Sequence, residues 1–288
     1  MNSARQNFPL SDGRNLEYLT NGVKSDSAII LHAGTTQDIT GWQTWLDYFE
    51  SRNIFALSFG RSGYAGSSAK PGRITIDVAN DVAELGTNLG INRFVNMGLS
   101  GGGQHAIATG LDSRSAGVVT VGSLAPFVEL GDHFYTGMQQ ADLDEYAEAL
   151  KDINLLVKRF QKWQDGDLGE TITGTELSER DKLAASKPTW KVTLDSCAFT
   201  MQKGWDWIAD DYSSYLKPWG FDPRDVKVPA VIWQGGLDKN VPVQHGKWLA
   251  DNIPNARLEL REDESHLGIY VNYEEEIMQS AITLLTSS

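Results

Sequence analysis

Between Phe94 and Ala108 the chain reads FVNMGLSGGGQHAIA, an apolar run, a serine set among glycines, and then a helix-forming stretch. Gly98-Leu99-Ser100-Gly101-Gly102 matches the G-x-S-x-G pattern of a sharp strand-to-helix turn that lifts a serine hydroxyl over the carboxyl edge of a sheet. Glycine is needed on either side because a Cβ so close to the turn would strike the neighbouring strand or helix. A glycine-rich turn around a passive serine is written with the same letters, so residues elsewhere must decide.

Working outward from that turn, several short β-branched runs alternate with helix-like segments: 27–32 (SAIILH), 54–59 (IFALSF), 93–98 (RFVNMG), 116–124 (AGVVTVGSL) and 228–235 (VPAVIWQG). Near-continuous apolarity in strands this short means burial on both faces, as in a parallel sheet covered by helices. The segment 75–90 sets Ile76, Val78, Val82, Leu85 and Leu89 on one side of a helix and closes on Gly90, a suitable C-terminal cap. At the amino end, Asp12-Gly13 reads as the turn of a hairpin, with Leu16, Tyr18 and Thr20 alternating along its second strand. From about Phe127 to Pro223 the alternation stops. The run 142–164 (DLDEYAEALKDINLLVKRFQKWQ) is strongly helical, and 165–186 carries loop and helix-start signals. The expected organisation is an α/β core over 1–126 and 223–288, with a helical insertion over 127–222.

A serine hydroxyl is a weak nucleophile until a positioned base takes its proton. The chain holds five histidines: His32, His105, His133, His245 and His266. The chain order that goes with this turn is serine, then acid, then histidine. Asp238 lies in a glycine-containing loop just past a buried strand, and His266 follows a later strand-like run, with room for a helix between them. Asp238 as a turn or capping aspartate is the plain alternative, and His133 and His245 are the competing bases; only His266 follows the last core strand. His32 reads as a structural histidine bracing the loop after the first buried strand, 31–42 (LHAGTTQDITGW). That loop should supply an N–H opposite that of Gly101 to hold an oxyanion, with Gly34 the first choice and Ala33 and Thr35 close behind.

Composition narrows the classes. In 288 residues, 38 Asp and Glu face 25 Lys and Arg, and the net charge of −13 repels nucleic acid and anionic lipid. Cys197 is the single cysteine and cannot form an internal disulfide, which fits a reducing compartment. The amino-terminal stretch lacks the apolar core of a secretory signal, and no window approaches the roughly 18 apolar residues of a membrane span, so a cytoplasmic location is expected.

Taken together, HAGTT (32–36), FGRSGYAGSS (59–68), GLSGG (98–102), GGLDKNVP (235–242) and ESHL (264–267) make the chain resemble the α/β-hydrolase superfamily, of the kind that includes small bacterial esterases, proline iminopeptidases and cofactor-free haloperoxidases. The resemblance implies a triad of Ser100, Asp238 and His266, an eight-stranded mostly parallel sheet, and a helical cap built from the insertion. Ala33, Thr35 and Gly60 depart from the usual glycine, proline and aspartate, which touches the oxyanion loop and its supporting turn.

The reaction expected is acyl transfer without cofactor or metal, most simply hydrolysis of a small to medium carboxylic ester by a monomer or homodimer. Apolar residues of the insertion, Phe127, Phe134, Tyr135, Met138, Trp163, Trp190, Trp205, Trp207 and Trp219, are read mainly as packing, with Phe127, Phe134 and Trp205 as pocket candidates. Two alternatives stay open: an aminopeptidase of the proline iminopeptidase type, in which Asp142, Asp144, Glu145 or Glu148 would hold a substrate amine, and a non-catalytic ligand-binding member of the same fold.

Overall fold

The computed structural model describes residues 4–164 and 178–287, except the side chains of Trp163, Gln164 and Asp206. The loop signals read between residues 165 and 177, and the Trp163 side chain, lie outside the described residues. Eight strands, β1 (Gln6–Pro9), β2 (Asn15–Thr20), β3 (Ser27–His32), β4 (Phe55–Phe59), β5 (Arg93–Leu99), β6 (Ser115–Val121), β7 (Ala230–Gly235) and β8 (Ala256–Arg261), form one sheet in the order β1-β2-β4-β3-β5-β6-β7-β8. The first two strands run antiparallel to their neighbours, and β4 through β8 pair in parallel. This is the mostly parallel, helix-flanked sheet read from the sequence.

Strand periodicity explains the layers. Ile29 and Leu31 point to the face that carries Val95, Met97, Val119, Val121, Val231 and Trp233, where Trp42, Trp45 and Phe49 pack. Ala28 and Ile30 point the other way, onto Leu57, Phe59 and Phe94, and Val78, Val82 and Leu85 of the helix Asp77–Asn88 cover them. Burial on both faces produces the unbroken apolar runs. The same cause changes the reading of β2: Leu16, Glu17, Tyr18 and Leu19 are all buried, because β2 lies between β1 and β4 and is covered on both sides.

Two strand ends differ from the sequence reading for local reasons. β6 stops at Val121 because Gly122 turns to φ +53°, and β7 begins at Ala230, just after Pro229, which has no N–H to donate to a ladder. Between β6 and β7 lie the helices Phe127–Leu130, Gln140–Lys151, Ile153–Gln164, Glu179–Ala185, Pro188–Lys203 and Asp206–Leu216. The stretch 142–164 is not one helix. Asp152 takes an extended conformation (φ −166°, ψ 113°), and its Oδ1 accepts from Asn154 N at 3.0 Å, a competing local bond that starts a second helix. No helix among the described residues is long and apolar enough to cross a membrane.

Candidate active site

Ser100 directly follows β5 and has φ +50°, a left-handed conformation that a side chain adopts only at a cost of about 1–2 kcal/mol. The adjoining glycines make that turn possible. A Cβ on Gly98 would lie 2.6 Å from Gly102 O and from Gly103 Cα, and one on Gly102 would collide with the carbonyls of His32 and Ala33. Gly103, read from sequence only as close packing, is held against the Ser123 side chain with no room for a methyl group.

His266 begins the helix His266–Asn272, capped by Ser265, whose Oγ accepts from Gly268 N at 3.0 Å. Ile269 and Val271 bury that helix in the core, and the Tyr270 ring sits 5.6 Å from that of Trp45. The imidazole of His266 is therefore set on a packed element. Its Nδ1 lies 2.7 Å from Asp238 Oδ2. Asp238 is itself fixed, because its Oδ1 accepts from Asn240 N at 2.9 Å and Val241 N at 2.8 Å. The loops that carry the two residues are joined by Leu237 N donating to Glu264 O and Gly236 N to Arg261 O, each at 2.9 Å.

Burial alone would lower the His266 pKa. The charge and hydrogen bond of Asp238, aided by Asp142, outweigh it and hold the imidazole above its ordinary value. The other buried histidines are committed elsewhere. His32 contacts Asn96 Oδ1 at 3.2 Å and is pushed down to about 3 by burial, consistent with a structural part. His245 accepts from Ala125 N at 3.1 Å and so donates through Nε2 to Phe134 O at 2.9 Å; burial lowers it to about 4. His105 is buried beside Arg73, and His133 is exposed.

Ser100, Gly101, Gly34, Thr35 and His266 line one cavity of about 540 Å³. The Gly34 N–H is already partnered within its own loop. It donates to Gln37 Oε1 at 3.0 Å, so the first choice for the second oxyanion donor is already engaged and Thr35 is next in the loop. The pocket candidates Phe127, Phe134 and Trp205 pack in the apolar cluster of the inserted helices. The aromatic wall of the cavity is made instead by Tyr146, Phe160, Trp190, Tyr212, Tyr215 and Tyr270. Of the four acidic candidates, Asp142 and Glu145 line the cavity, whereas Glu148 pairs with Arg159 at 2.8 Å and Asp144 lies 3.7 Å from it. Burial, with the Asp238 charge, pushes Asp142 up to about 7, and burial with the Asp142 charge pushes Glu145 up to about 8. Sequence reading missed Gly122, whose backbone closes against His266, and Asp211, the buried counter-ion described below.

Residues 28–273 match the model of the α/β hydrolase fold. The chain belongs to that family. Its fold is shared with a hydrolase from Pseudomonas aeruginosa PA01 (TM-score 0.71, 20% identity, 98% of each chain covered). It is shared likewise with an esterase from Exiguobacterium antarcticum (TM-score 0.71, 17% identity, 100% of each) and with an enol-lactonase from Burkholderia xenovorans LB400 (TM-score 0.70, 18% identity, 98% of this chain and 100% of that one). No curated protein matches the sequence.

Proposed function

We propose that this α/β hydrolase cleaves carboxylic esters through an acyl-enzyme on Ser100. The observation that carries the reading is the 2.7 Å contact from His266 Nδ1 to the buried carboxylate of Asp238, beside a cavity that the strained Ser100 also lines. Asp238 accepts the Nδ1 proton, so the neutral imidazole keeps its lone pair on Nε2. That nitrogen takes the Ser100 proton as Oγ bonds to the acyl carbon and the carbonyl electrons move to oxygen. The N–H groups of Gly101 and Thr35 receive the oxyanion. Collapse expels the alcohol, protonated by His266, and water repeats the sequence to free the acid and restore the serine.

The test is Ser100→Ala in folded protein. Ester turnover should fall by three or more orders of magnitude, in line with loss of a triad nucleophile, and activity at roughly a tenth of the original would refute the assignment. Labelling of Ser100 by a fluorophosphonate separates an enzyme from a ligand-binding protein, in which a misaligned serine would not react.

One observation supports a second reading. Asp142 and Glu145 face the cavity with, among the described residues, no basic side chain hydrogen-bonded to either; Asn240 Nδ2 donates to Asp142 at 3.1 Å and the Tyr212 hydroxyl to Glu145. An acyl group bearing an ammonium would find its counter-charge there, as an aminopeptidase requires. Comparison of aminoacyl arylamides with simple short-chain esters decides between the two substrates.

A further inference from the structure

The oxyanion loop is held from outside by a single buried charge cluster. Arg61 and Arg73 are buried around one carboxylate, Asp211, which comes from the helix Asp206–Leu216. Arg61 Nη2 donates to its Oδ2 at 2.7 Å, as does the Tyr64 hydroxyl, and Arg73 donates to its Oδ1. Tyr215, one helical turn beyond Asp211, donates to the same Oδ2 at 2.8 Å.

Proton accounting fixes the next contact. Burial opposes ionisation of Asp211, but the two arginines outweigh it and keep the group ionised, an acceptor only. Burial and the Asp211 charge push the Tyr215 phenol far above its usual range, so it keeps its proton and donates a hydrogen bond through it to Asp211. The 2.8 Å contact between Tyr215 Oη and Thr35 Oγ1 must then use the threonine proton. Two positions earlier on the same loop, the Ala33 carbonyl accepts from Arg61 Nη1. Both attachments of the segment Ala33–Thr35 therefore lead back to Asp211. The place is next to the nucleophile, since a Cβ on Gly101 would collide with both Tyr215 Oη and Thr35 Oγ1.

We propose that Tyr215 is a positioning residue for acyl transfer: by accepting the Thr35 hydroxyl proton it orients the Thr35 N–H toward the oxyanion, so the inserted helices complete a site whose nucleophile and base sit on the core. This rests on the Ser100 reading above. The consequence falls on the transition state, because a substrate carbonyl draws far less on that N–H than a tetrahedral oxyanion does.

The experiment compares wild type, Tyr215→Phe, Thr35→Val, Thr35→Ser and the Tyr215→Phe/Thr35→Val pair on a short-chain ester, with a trifluoromethyl ketone as a mimic of the tetrahedral state. Reaction of wild-type Ser100 with a fluorophosphonate comes first; if it fails, the serine-hydrolase reading falls and this one falls with it. With labelling in hand, Tyr215→Phe should lower kcat about tenfold or more, leave KM within about twofold, and weaken the ketone by the same factor as kcat. Thr35→Ser, which keeps the hydroxyl, should recover most of the kcat that Thr35→Val loses, and the pair should be no worse than the worse single variant, as for residues acting through one contact. Wild-type kcat in Tyr215→Phe, a loss confined to KM, or multiplying losses in the pair would overturn the proposal in a protein whose labelling is intact. Should Tyr215→Phe not fold, Thr35→Val, which leaves the charge cluster whole, carries the same kinetic test.

Discussion

Gly122 forms the wall against which His266 rests: a Cβ built on it would lie 2.8 Å from both Nδ1 and Cε1 of the imidazole and 3.2 Å from Asp238 Oδ2. The strand β6 is thus followed by a residue with no side chain at the point where His266 meets Asp238. Its φ of +53° is also one that disfavours any other residue.

Gly122→Ala should therefore act on rate more than on folding. The left-handed conformation costs about 1–2 kcal/mol, while a shift of the imidazole by about 1 Å lowers kcat by about a hundredfold. Thermal melting and ester kinetics on the same preparation check this, and a variant with normal kcat would show that His266 does not depend on that contact.

Asp211→Ala leaves Arg61 and Arg73 buried without their carboxylate, whose side chain has 0% exposure. Loss of one partner from such a cluster costs about 3–5 kcal/mol, because the remaining charges stay desolvated. Urea unfolding at unchanged m-value measures it. A loss below about 1 kcal/mol would mean that water replaces the carboxylate.

Much of this was legible in the sequence, and what was legible shares a cause. The strands around Ile29 and Val95 are continuously apolar because both sheet faces are covered, and the Ser100 turn is spelled in glycines because backbone passes within contact distance on each side. Chain order singled out Asp238 and His266, whose side chains meet at 2.7 Å. What escaped depends on side chains meeting at long range. Nothing local marks Asp211 as the counter-ion of Arg61, 150 residues earlier. The break at Asp152 escaped for the opposite reason, since one side-chain bond over two residues outweighs the helical tendency of its flanks.

Glu145 makes stability depend on pH. Burial and the neighbouring Asp142 raise it to about 8 in the folded chain, against an unfolded value of about 4.3. Between those values the folded state binds more protons than the unfolded one, so the contribution is full in acid and is lost as pH rises toward 8. Glu145→Gln keeps an acceptor for the Tyr212 hydroxyl and removes the titration. Its Tm should exceed that of wild type at pH 8 by about 2–4 °C for each kcal/mol relieved, and the two should converge near pH 5.

The same pair separates the two substrate readings by pH. Asp142 near 7 and Glu145 near 8 are largely neutral in mild acid and charged above neutrality. A cationic acyl group gains from that charge, so KM for an aminoacyl arylamide should fall as pH rises from about 6 to 8, until the substrate amine itself loses its proton near its α-amino value of about 7.7–8.0. A simple acetyl ester lacks the cation, and its KM should stay flat while kcat/KM rises with deprotonation of His266, at a midpoint above the ordinary histidine value of about 6.5. Asp142→Asn should weaken the KM trend for the arylamide, leaving only the part that Glu145 supplies. Because Asp142 also helps to raise His266, the same change should move the kcat/KM midpoint of the ester to lower pH. If the arylamide is cleaved with a KM that ignores both pH and Asp142→Asn, the acidic pair has no part in recognising the substrate.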